Sequence, residues 1–250
     1  MTRRVRIPLP EIPGVTAVPG WLDGAAASPW LLVLAPGAGA PADSGLMSTL
    51  AAQVASKGVR VLRFDFPYQV RARREGSRRP PDRAPVLLAT WRAVLAYVRR
   101  RLRPAHLAIG GKSMGGRYAT LLLAEVGNPA GGPSADPSRG PLGCQVEAAV
   151  LVGYPLHPPG KPDRMRAGHL GDLGVPSLFV SGTRDALARI DALREVVRSL
   201  PPAELYEVDA ADHDFKVPKR SGRTRLEVTT EVASAIAAFL DAPESAASRS

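Results

Sequence analysis

Cysteine is almost missing from this chain: only Cys144 occurs among 250 residues. One thiol excludes an intramolecular disulfide and every multi-cysteine zinc site, and fits a reducing interior. Aromatic residues make up only 5% of the chain, so its 45% apolar content must build a core mainly from Ala, Val and Leu. That apolar share is enough for a substantial buried core and excludes disorder of the whole chain. No apolar run approaches the roughly 18 residues a membrane span needs. The opening MTRRVRIPLPEIPG carries charge without a signal-type apolar stretch. A cytoplasmic protein without a membrane partner is therefore expected. Lysine is scarce as well, with five against 28 arginines, and asparagine occurs once, at Asn128. The net charge of +10 invites an acidic partner. A coding bias toward arginine explains that charge at least as well, so nucleic acid is not the expected partner.

What is abundant is turn chemistry, with 24 glycines and 25 prolines punctuating short apolar runs. Trp30 to Ala35 reads as a buried strand that stops at Pro36-Gly37-Ala38-Gly39. Asp43 and Ser44 can cap a helix ending at Gly58, and Val59 to Phe64 reads as the next strand. An arginine-laden loop is expected from Phe66 to Pro85, then a helix from Val86 to Leu102 and a strand from His106 to Gly110. A helix should follow at Arg117 to Glu125. After residues 128–143, read as a flexible insertion because they are dominated by Gly, Pro and Ser, the rhythm resumes. Strands are expected at Ala148 to Val152, Pro176 to Val180 and Leu205 to Val208, with helices at Ala186 to Ser199 and Leu226 to Leu240. The alternation predicts one α/β domain over residues 1–241, with helices on both faces of a mostly parallel sheet. Residues 242–250 read as a frayed tail.

Gly111-Lys112-Ser113-Met114-Gly115 matches G-x-S-x-G and falls between an apolar strand and a helix. A nucleophile on such an elbow needs nearly side-chain-free neighbours two residues before and after, which Gly111 and Gly115 provide. The bland alternative is a glycine-rich turn with a capping serine. A phosphate-binding P-loop is excluded, because its first glycine would stand where this chain has His106. An acid and a base should follow the nucleophile in chain order. Asp185 lies in the exit SGTRDAL of one strand, and His213 in the exit DAADHDF of the next. Ser113, Asp185 and His213 thus gather at the carboxyl edge of the sheet, where open parallel sheets bind ligands. The Met114 amide and the Ala38 amide of the first glycine-rich loop are the expected oxyanion donors.

Together LAPGAGAPADS, RFDFPY, RRPPDRAP, GGKSMGGR, GYPLHPPGKP, SGTRD and DHDF resemble the small dienelactone-hydrolase-like branch of the α/β-hydrolases, over about residues 28 to 240. The resemblance implies an α/β-hydrolase fold with a minimal cap. It also implies a serine hydrolase of an ester or related acyl bond, with Ser113 as nucleophile, Asp185 as acid, His213 as base, and Met114 and Ala38 at the oxyanion. It implies no cofactor and no metal, and a small acyl or ester substrate as the partner. The branch usually has histidine where this chain has Pro36. The chain is also similar to proteins that serve in chromatin-modifying complexes, so a non-catalytic scaffold is the alternative. Gly37, Gly39, Tyr68, Tyr154 and His157 are candidate substrate-binding residues, although His157 among prolines reads more simply as structural. The arginines between Arg71 and Arg83 are either an anion clamp or a solvated loop, with the second preferred. Cys144, with no base or helix dipole nearby, is not expected to react.

Overall fold

A computed structural model describes residues 2–9, 12–127, 145–200 and 202–242. The expected insertion at 128–143, Cys144 and most of the expected tail lie outside the described residues. Among these residues eight strands form one sheet: β1 (Arg3–Pro8), β2 (Ala17–Asp23), β3 (Trp30–Ala35), β4 (Arg60–Phe64), β5 (His106–Lys112), β6 (Ala148–Val152), β7 (Ser177–Gly182) and β8 (Ala203–Val208). Their order is β1-β2-β4-β3-β5-β6-β7-β8. From β4 to β8 every pairing is parallel, whereas β2 joins β1 and β4 antiparallel. Strands β3, β6 and β7 are buried at every residue, as expected where helices cover both faces.

Among the described residues six α-helices supply that cover: α1 (Gly45–Ser56), α2 (Pro67–Glu75), α3 (Ala84–Tyr97), α4 (Met114–Gly127), α5 (Ile190–Arg198) and α6 (Arg225–Asp241). One face is sealed by α1 and α6. Met47, Leu50 and Val54 of α1 pack there with Val228, Val232, Ile236 and Leu240 of α6. The four-residue spacing on α6 stacks its apolar side chains on one stripe, each contributing roughly 1.5–3 kcal/mol on full burial. The other face buries Leu87, Trp91 and Val94 of α3, Leu122 of α4 and Leu193 of α5. Phe64 meets the Trp91 ring edge-on at 4.9 Å.

Two expectations are corrected here. The N-terminal hairpin β1–β2 was not expected, since prolines and glycines interrupt its alternation; Pro8 ends the edge strand β1, and Pro19 stands one residue before the β2–β4 ladder begins at Gly20. The segment after Phe66 is not wholly loop, because α2 occupies Pro67–Glu75. Pro67 opens the helix, Gln69 Oε1 accepts the Phe66 N–H at 2.8 Å, and Gly76 ends it at φ +63°. Pro67, Tyr68, Gln69 and Val70, its first turn, are its buried residues, and the arginines that follow mask this short buried turn in the sequence. Beyond α3 the chain adds a π-helical turn, Val98–Leu102, closed by Arg103 at φ +45°.

Candidate active site

At the carboxyl edge of β5 the chain turns sharply. Ser113 has φ +51°, a left-handed conformation that costs a non-glycine residue roughly 1–3 kcal/mol. Its N–H donates to Val152 O at 2.9 Å, which ties the elbow to β6, and α4 begins at the next residue. The turn is possible because nothing projects from its flanks: a Cβ on Gly111 would stand 2.4 Å from Ala35 O, and one on Gly115 2.3 Å from the same atom. The hydroxyl is thereby lifted to the edge of the sheet, half-buried.

The loops after β7 and β8 bring the other two groups to it. They are laced together by Thr183 N–H to Val208 O (3.0 Å), Arg184 N–H to Ala211 O (2.9 Å) and Ala210 N–H to Thr183 Oγ1 (2.9 Å). His213 Nε2 lies 2.9 Å from Ser113 Oγ, and His213 Nδ1 lies 2.8 Å from Asp185 Oδ2. Asp185 Oδ1 accepts the Leu187 N–H at 2.7 Å, and the residue is only 5% exposed. A carboxylate accepts only, so Nδ1 carries the proton and Nε2 is left to accept from the serine hydroxyl. The sequence neighbours of His213 are engaged elsewhere. Asp212 Oδ1 accepts the N–H groups of Asp214 (2.8 Å) and Lys216 (2.9 Å), and Asp214 is exposed, 3.8 Å from Lys216 Nζ.

The loop after β3 approaches from the far side. A Cβ on Gly37 would lie 3.6 Å from Ser113 Cβ. Tyr68 Oη donates toward the carbonyls of Gly37 (3.3 Å) and Ala38 (3.1 Å). In a trans peptide the N–H opposes the carbonyl, so the Ala38 amide is directed away from Tyr68. Met114 heads α4, whose own ladder offers its N–H no acceptor. Tyr68 is thus an anchor of this loop, with its hydroxyl pushed above the ordinary range by burial and by Asp65 and Asp82. Beside it an open cleft of about 470 Å³ is bordered by Ala38, Gly39, Tyr68, Arg73, Arg78 and Arg79.

Other candidates fall outside this convergence. Tyr154 is 1% exposed and donates its hydroxyl to Arg166 O at 2.7 Å; burial pushes its pKa up to about 12. It is a core residue. His157 is buried, its Nδ1 donating to Pro158 O at 3.0 Å, while Nε2 has no partner among the described residues. Three of the six arginines between Arg71 and Arg83 are paired with carboxylates: Arg71 with Asp82, Arg73 with Asp43 and with Asp65 (3.0 Å), and Arg79 with Glu75 (2.5 Å).

Three contributors escaped sequence reasoning. Arg63, 2% exposed, pairs with Asp23 of β2 at 2.8 Å and donates to Ala42 O at 2.6 Å. Asp65 accepts the Ala42 N–H at 2.8 Å, its carboxyl pushed up by burial. Together they grip the backbone of the loop that carries Ala38. Charged residues in or just after an otherwise apolar strand were the available signal. The third, Lys112, is 6% exposed immediately before Ser113. Among the described residues no three His, Cys, Asp or Glu side chains are grouped to hold a metal, and no helix is long and apolar enough to cross a membrane.

The fold belongs to a known class. The alpha/beta hydrolase domain family matches residues 28–241, and the chain belongs to that family. Among solved structures it is similar to a dienelactone hydrolase from Anabaena variabilis, with 18% identity, 96% of each chain covered and a TM-score of 0.69. It is also similar to Est1E from Butyrivibrio proteoclasticus, at 14% identity over 96% of this chain and 99% of that one, TM-score 0.65. An alpha-beta serine hydrolase homologue from Coxiella burnetii aligns at 17% identity over 94% and 97% of the two chains, TM-score 0.62.

Proposed function

We propose that this protein is a serine hydrolase that cleaves an ester or related acyl bond through an acyl-Ser113 intermediate. The observation that carries this reading is His213 bridging Ser113 at 2.9 Å and Asp185 at 2.8 Å. Family membership and the dienelactone hydrolase and alpha-beta serine hydrolase homologue among the similar structures support it. Ser113 Oγ attacks the acyl carbonyl while its proton passes to His213 Nε2. The oxyanion is received by the N–H groups of Met114 and Ala38, fixed before reaction by α4 and by the Tyr68 anchor. Collapse expels the alcohol, which takes the proton from His213. Water, deprotonated by His213, then releases the acid and restores Ser113. Asp185 holds the tautomer and offsets the imidazolium charge in both halves.

Labelling with a fluorophosphonate probe tests this directly. The wild-type protein should be labelled at Ser113, and Ser113→Ala and His213→Gln should not react. A folded wild-type protein that resists the probe would favour the scaffold alternative.

A further inference from the structure

The cleft beside Tyr68 shares Ala38 with the site, and small side chains dominate its walls. Tyr68 and Ala72 stand four residues apart on α2 and so face the same way, while Ala38, Gly39 and Ala40 of the loop after β3 border it from the other side. A Cβ on Gly39 would meet no atom within 4 Å, nor would one on Gly76, so space is open beside both. The polar side chains that reach the cleft from α2 are engaged within the protein. Tyr68 Oη donates to the carbonyls of Gly37 and Ala38, and Gln69 Nε2 donates to Ala40 O at 2.9 Å while its Oε1 accepts the Phe66 N–H. Arg73 is held by Asp65 and Asp43, and Arg79 beyond the helix by Glu75. Arg78 forms no ion pair among the described residues, but it is exposed at the rim, where water and salt screen its charge. Walls whose polar groups are satisfied from within recognise a ligand by shape and apolar contact rather than by hydrogen bonds.

The order of the sheet decides which part of an ester lies there. Ser113 follows β5. The cleft is built on the exits of β3 and β4, to one side of it, whereas Asp185 and His213 follow β7 and β8 on the other. A Cβ on Gly153, just past β6, would lie 3.6 Å from His213 Cε1, so the ring stands on the β6 side of Ser113. The alcohol leaves beside His213, which protonates it, and the oxyanion is taken by the N–H groups of Met114 and Ala38. The side of β3 and β4 is then left for the acyl chain. We propose that this cleft is the acyl subsite, that it takes an uncharged aliphatic acyl chain, and that Ala72 is a specificity-determining residue whose small side chain leaves room for it. This deepens the reading of Ser113 as nucleophile and rests on it.

Each methylene moved from water into the cleft should raise kcat/KM by up to about fourfold. Wild type should therefore cleave p-nitrophenyl butyrate roughly tenfold better than the acetate, and better than the hemisuccinate, which has the same length but ends in a carboxylate. In Ala72→Leu the added side chain occupies the cleft without loss of helix propensity, and the butyrate-to-acetate ratio should fall to about one, whereas Ala72→Ser should keep it. Ser77→Leu, from the exposed rim, gives the same comparison if Ala72→Leu does not fold. A butyrate-to-acetate ratio that is near one in wild type, or unmoved in the folded leucine variant, overturns the subsite while the hydrolase reading stands. A wild type that prefers the hemisuccinate to the butyrate overturns the uncharged chain. A wild type that resists the fluorophosphonate probe and cleaves none of the three esters overturns the hydrolase reading, and the subsite with it.

Discussion

Replacing Lys112 by methionine should stabilise the protein, by an amount that depends on pH in a calculable way. Methionine keeps the length of the side chain and removes the charge. In the native state burial holds the ammonium at about 8 against an ordinary value of 10.5. Between those values the unfolded chain binds more protons than the folded one, so wild-type stability rises with pH across that window. Below pH 8 the full penalty applies, about 3 kcal/mol at pH 7; at pH 9.5 it has fallen to about 1.4 kcal/mol, and it vanishes above 10.5. Urea unfolding of wild type and Lys112→Met at pH 7 and 9.5 gives the comparison, with the difference between proteins cancelling other titrations. The variant should lead by about 2 kcal/mol more at pH 7 than at pH 9.5. A lead that is equal at both pH values, or a destabilised variant at pH 7, would refute the reasoning.

Asp185→Asn should lower kcat on the order of 10⁴ by favouring the wrong histidine tautomer, whereas Asp212→Asn and Asp214→Asn should cost far less; the reverse ranking in steady-state assays sinks the assignment. Ala38→Pro removes one amide and should reduce turnover by roughly 10²–10³ with the thermal transition retained, and unchanged turnover would take Ala38 out of the oxyanion site. Arg73→Gln should act on stability, because Asp65 loses a partner at 3.0 Å. Its thermal transition should fall while the ratio of kcat/KM for acidic and neutral esters stays within about twofold; a selective loss for acidic esters would restore the anion clamp.

Much of this arrangement was legible in the sequence because each part is local. The elbow GGKSMGG announces itself through glycines that Ala35 O leaves no room to replace, and the buried parallel strands read as apolar runs. Asp185 and His213 were legible because each follows such a run. Tyr154 and His157 also follow a strand, yet they turn inward, since a loop position says nothing about which way a side chain points. Helix α2 was hidden because Arg71, Arg73 and Arg74 overwhelm the hydropathy of a nine-residue segment whose burial is confined to its first turn. The significance of Arg63 and Asp65 depends on partners 40 and 23 residues away, Asp23 and Ala42, which no local pattern reveals.

The Arg63–Asp23 pair has a consequence for where the protein can be cut. Family likeness begins at residue 28, yet the counter-charge of Arg63 sits on β2, upstream of that boundary. A polypeptide trimmed to the inherited segment would keep a guanidinium under the Ala42 carbonyl and lose the carboxylate that makes its burial tolerable, a loss on the order of 3–5 kcal/mol. The hairpin is thus coupled to the loop after β3: the segment the family match marks out stops short of the carboxylate that the buried guanidinium pairs with.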